Sequence, residues 1–102
     1  MSSRKWSGCD LHIGILEFKG RIPASFSLKD KRRVIKSVQT KIRNRFNLSV
    51  AEVADQDDRQ FVSLAVVGVG SSRQIVENEL RQALKLLEDT DGLEVVAADV
   101  TF

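Results

Sequence analysis

The chain of 102 residues has one cysteine, one proline, one histidine and no tyrosine. Its single thiol, Cys9, cannot close an internal disulfide. With only His12 nearby there is no ligand set for zinc, so neither a metal site nor a cofactor is expected. Cys9 and His12 stand three residues apart on an emerging strand, where alternation sends them to opposite faces. They read as a small core cysteine and a half-buried histidine rather than a nucleophile and its base. No apolar run is long enough to span a bilayer. The opening "MSSRKWSGCD" carries two basic residues but no apolar stretch behind them, which is not the pattern of a secretory signal. A cytoplasmic protein without membrane association is the expectation.

What is present is ordinary in bulk and uneven in detail. The length suits one domain over residues 1–102, with 1–9 a flexible or strand-extending segment. The formal charge of +2 conceals a segregation. Between Ser27 and Asn47 lie Lys29, Lys31, Arg32, Arg33, Lys36, Lys41, Arg43 and Arg45 against Asp30 alone, while the remainder of the chain is acidic.

Hydrophobic periodicity orders the elements. "LHIGILEF" predicts a strand, and "KGRIPAS" a loop punctuated by Gly20 and Pro23. Ser27 is an N-cap with Asp30 placed to answer the free amides of a helix start. Leu28, Ile35, Val38, Ile42 and Phe46 then recur at helical spacing up to Asn47. "LSVAEV" and "FVSLAVVGVG" predict a hairpin across the polar turn "ADQDDRQ". Ser71 with Gln74 suggests a capping box, and the apolar face from Ile75 or Val76 to Leu87 a second helix. "LEVVAADVTF" predicts a last strand. The order βαββαβ, with right-handed crossovers, implies an α+β, ferredoxin-like fold in which two helices cover one face of a four-stranded antiparallel sheet.

Winding the first helix at about 100° per residue sets Lys29, Arg33, Lys36 and Arg43 opposite the apolar stripe, with Arg32 and Lys41 at its margins. Helix faces kept only for solubility usually mix signs and gain i,i+4 pairs. This one does not, so the six cations predict a docking surface for an anion. Lys31 is different, because it falls on the stripe itself between Leu28 and Ile35. Such a residue snorkels, finds an internal carboxylate, or marks a site.

"SLKDKRRVIKSVQTKIRNRFNLSVAEV", followed by Gln56 and Asp57, resembles the YlxP-like family of small bacterial proteins, a domain of unknown function. The resemblance implies a ferredoxin-like fold and a bacterial cytoplasmic protein, with no catalytic mechanism to carry over. Members are often encoded near transcription, translation-initiation and ribosome-maturation factors, which implies a connection with RNA or ribosomes. The chain departs from the family pattern at the hairpin turn. "ADQDDRQF" stands where an acidic residue with histidine or asparagine would precede "QD", and a bulky apolar residue with tryptophan follow it.

Three functional classes remain to be weighed. The first is an RNA- or ribosome-binding module acting by charge and shape, since Phe18 and Phe61 are too sparse for the stacking platform of an RNA-recognition sheet. The second is a homodimer or higher oligomer, or a ligand-sensing domain, using the open sheet face. The third strand carries Val62, Leu64 and Val66 on one face and Phe61, Ala65, Val67 and Val69 on the other; one face meets the helices and the other water or a partner. An enzyme is the least supported: Asp55, Asp57 and Asp58 do not have EF-hand spacing, and "VGVGSSR" lacks both the P-loop lysine and the dinucleotide fingerprint.

Overall fold

Alternation of apolar and small residues builds the two central strands. The computed structural model describes residues 11–25 and 27–102, so the readings placed on Cys9 and on segment 1–9 lie outside the described residues. Strand β1 (His12–Arg21) turns Leu16 and Phe18 inward and leaves Glu17 and Lys19 exposed. Helix α1 (Leu28–Arg45) leads to β2 (Leu48–Ala54) and β3 (Phe61–Gly70). Helix α2 (Arg73–Glu88) and β4 (Glu94–Thr101) complete the chain. The strands pair antiparallel in the order β2-β3-β1-β4, which is the ferredoxin-like arrangement.

Both helices lie on one face, α1 chiefly over β2 and α2 over β1 and β3. Between the layers Leu16, Phe18, Val62, Leu64 and Val66 meet Ile35, Val38 and Ile42 from α1 and Val76, Leu80, Ala83 and Leu87 from α2. Two glycines set how close α2 comes. Gly14 and Gly68 are cross-strand partners at the centre of the sheet. A Cβ on Gly14 would stand 2.7 Å from Leu80 Cδ1, and one on Gly68 3.2 Å from Val76 Cγ1, both side chains of α2. Side chains there would lift α2 and open the core.

Two sequence expectations shift. The first strand continues through Lys19, Gly20 and Arg21, because these residues are paired on both sides and a register slip at Lys19/Gly20 absorbs the irregularity. The N-cap of α2 is Ser72 rather than Ser71, its Oγ accepting from the Ile75 amide at 3.4 Å. That places Ile75 in the first turn with its side chain 61% exposed, while Val76 takes the buried position. Strand β4, apolar in sequence, is an edge strand whose residues are exposed except Val100.

Candidate nucleic-acid interface

The local sequence makes α1 start and stop cleanly. Ser27 Oγ accepts from the Asp30 amide at 3.2 Å, and Asp30 sits where a carboxylate favours the positive helix end. At the other end Arg43 and Arg45 complement the negative terminus, and the Phe46 amide closes the last turn on Ile42 O. The stripe Lys31, Ile35, Val38 and Ile42 is buried.

Lys29, Arg32, Arg33, Lys36, Lys41, Arg43 and Arg45 are all exposed, and among the described residues none of them enters an ion pair. The helical turn divides them into two flanks about Arg33. Lys29, Arg32, Lys36 and Arg43 lie on one side, where Arg43 Nη2 donates to Val50 O at 3.1 Å, on the edge strand β2. Lys41 and Arg45 lie on the other side, facing α2. Arg45 joins the sequence-derived set only in three dimensions. On a helical projection it falls beside the apolar stripe, and that position hid it.

The second flank forms one wall of an open groove of about 480 Å³. Arg33, Val34, Ser37, Lys41 and Arg45 face Leu86, Asp89, Thr90 and Asp91 across it. The acidic wall is held by backbone bonds: Asp89 N to Lys85 O at 2.9 Å, Thr90 N to Leu87 O at 3.3 Å and Leu93 N to Thr90 O at 3.3 Å. Gly92 takes φ +81°, a left-handed conformation that lets the chain leave the helix within one turn. At the end of α1 the Asn47 amide donates to Glu79 Oε2 of α2 at 3.2 Å, fixing the two helices together.

Lys31 belongs to the interior. Its side chain is 1% exposed and reaches the β2–β3 turn, where Nζ donates to Asp55 O and, at 2.7 Å, to Asp58 O. Glu52 Oε2 lies 3.2 Å from Nζ. That buried oxygen has no hydrogen-bond partner among the described residues, so the ammonium is its compensation by charge alone. A lysine on the stripe is thus answered by an acid at an inward-facing position of β2, in step with Leu48 and Val50.

The turn is tightly specified around this contact. Asp55 adopts φ 58° and accepts from Ser63 Oγ at 2.7 Å, with Lys19 Nζ at 3.8 Å from the same oxygen. Asp58 Oδ1 accepts from the amides of Phe61 and Gln60, each at 2.8 Å. These amides, Phe61 first, hold the Asp58 carboxyl below the usual aspartate range, helped weakly by Lys31 and Lys19. Of the three aspartates that suggest a cation in sequence, Asp55 and Asp58 are therefore engaged separately, and Asp57 is exposed. Among the described residues no cluster of three metal-ligating side chains occurs, and no helix is long and apolar enough to cross a membrane.

The other sheet face is open. Ile13 and Ile15 of β1 pair with Val69 and Val67 of β3, pointing away from the helices, and Val53 is 60% exposed. Beside this apolar end, Glu17 and Asp99 stand directly opposite each other on β1 and β4.

Residues 13–100 match the family described as "Protein of unknown function (DUF503)". Over 82 residues the chain is 37% identical to the uncharacterized protein YlxP of Bacillus subtilis strain 168, a match that covers 80% of this chain and 89% of YlxP. In three dimensions it is similar to the de novo designed protein Foldit4, with a TM-score of 0.58 and 15% identity over 89% of this chain and 98% of that one. A likeness at that identity concerns the fold. The family match and the relative together place the chain in DUF503, a family of proteins of unknown function, as a relative of YlxP.

Proposed function

We propose that this protein is a non-enzymatic binding module that docks on RNA, free or in the ribosome, through the exposed cations of α1. The observation that carries the reading is the set of seven exposed basic side chains on one helix with no ion-pair partner among the described residues. Like charges at i,i+4 spacing cost helix stability, and an anionic polymer compensates all of them at once by releasing counterions. The absence of an aromatic platform on the open sheet assigns recognition to charge and shape rather than base stacking.

The test is binding to ribosomal subunits and to free ribosomal RNA across a salt series. Each phosphate contact on a single strand contributes about 0.7 to the slope of log affinity against log salt. Arg33→Glu combined with Lys36→Glu should flatten that slope by at least about 1.4 and weaken binding at low salt more than tenfold. Retained affinity in the folded double variant at low salt would overturn the reading.

A second reading rests on a different observation, the apolar end of the open sheet face formed by Ile13, Ile15, Val67, Val69 and Val53. We infer that two copies meet there back to back. This is compatible with RNA docking, since the helices occupy the opposite face. Light scattering across a concentration series tests it: wild type forms dimers that Val67→Lys dissociates, and a wild-type monomer at high micromolar concentration would sink it.

A further inference from the structure

We propose that the groove between α1 and α2 seats a single strand of RNA, with phosphates against the α1 wall and ribose 2′-hydroxyls against Asp89 and Asp91. This rests on the RNA reading above and narrows it to a strand, a path and a chemical selectivity.

The α1 wall is a row rather than a patch. Arg33, Ser37, Lys41 and Arg45 follow one another at intervals of four, so their side chains stack along the helix. Each interval rises about 6 Å, comparable to the step between phosphates along a nucleic-acid strand, and the row spans roughly 18 Å. Two guanidinium groups, one ammonium and one hydroxyl supply donors suited to phosphate oxygens. Val34 and Leu86, partly buried against the core, give the groove an apolar floor for a sugar or base face.

The opposite wall decides which polymer fits. Asp89 and Asp91 are exposed and make no ion pair with the row, so their charge is not spent on it. Two carboxylates beside a polyanion repel it unless they receive hydrogen bonds. A ribose 2′-hydroxyl is such a donor, and deoxyribose has none. A strand lying with its phosphates on α1 turns its sugars toward the far wall. The same acids then reward RNA and penalise DNA.

The experiment compares oligouridylate with oligodeoxyuridylate, each about twelve nucleotides long, so that the 2′-hydroxyl is the only difference. The wild-type protein should prefer the ribo form by roughly fivefold or more. Asp89→Asn with Asp91→Asn should bring the two within about twofold, mainly by tightening the deoxy form. Lys41→Glu with Arg45→Glu should weaken ribo binding more than Lys29→Glu with Lys36→Glu does, all variants being checked for native circular dichroism. Equal affinity of the wild type for both oligomers, or a larger loss from the Lys29 and Lys36 pair, overturns the groove while leaving RNA docking on α1 standing. No salt-dependent binding of either oligomer or of ribosomal RNA overturns both. Asparagine variants that tighten the two oligomers equally would make the acids a general repulsive lip and remove the ribose contact.

Discussion

The two helices cover the same sheet face with the same topology, yet they differ in how they treat charge. Helix α2 mixes signs, pairs Glu77 with Arg81 at 2.9 Å, and buries four apolar residues, Val76, Leu80, Ala83 and Leu87. Helix α1 carries eight cations against one carboxylate, and the first of its four buried residues is a lysine. One helix is what the fold needs. The other departs from that pattern twice, with opposite meanings: Lys31 is turned inward to join the hairpin to the helix, and the remaining cations are turned outward with no ion pair among the described residues. Charge excess on a helix therefore cannot be read as one property, because burial separates a fastening from an exposed cationic surface.

The sharpest way to break this distinction is Lys31→Met. The substitution leaves the carbonyls of Asp55 and Asp58 without their donor and the buried Glu52 oxygen without its countercharge. Loss of about 2–4 kcal/mol in denaturant unfolding is expected, with RNA affinity of the folded fraction unchanged. Unaltered stability together with lost RNA binding would move Lys31 to the outward set. Probing the other helix, Gly14→Ala places a Cβ 2.7 Å from Leu80 Cδ1 and 2.9 Å from the Phe102 ring. Both neighbours are side chains that can shift, so about 1–2 kcal/mol is expected by thermal melting, and a neutral result would show that α2 is not held at its closest approach.

The smallest effect concerns the turn that Lys31 grips. The Asp58 carboxyl is depressed in the folded state by the Phe61 and Gln60 amides. Its contribution is therefore fully present above the ordinary aspartate pKa and is lost as pH falls through that value toward the lower folded one. Titration followed by carboxyl carbon NMR should give Asp58 a midpoint below the ordinary aspartate value. Asp58→Asn, which keeps an acceptor for the two amides, should reduce the acid dependence while retaining the turn. A midpoint at the ordinary aspartate value would remove the amides as a cause of any depression.

Much of this was legible along the chain because local chemistry carried it. Ser27 announces α1, period-two alternation marks β3, and the break at Lys31 is visible as a charge where an aliphatic residue belongs. Its partner was also marked, since Glu52 is an acid at an inward-facing position of "LSVAEV", the only oppositely charged break of pattern in the neighbouring strand. The two carbonyls that bind Nζ left no trace, because every residue carries one. Strand β4 was legible as a strand, but composition records β-propensity and not exposure, which follows from its place at the sheet edge. The groove is tertiary in origin. Arg45 and the Asp89–Asp91 wall lie more than forty residues apart in sequence and meet only through helix packing.

The bond from Arg43 to Val50 O reaches beyond the cationic face of α1. It occupies a main-chain acceptor on the outer edge of β2, beside which a flexible guanidinium then stands, while β4 with Val95 and Val96 keeps the less guarded edge. That acceptor is thus closed to an incoming strand.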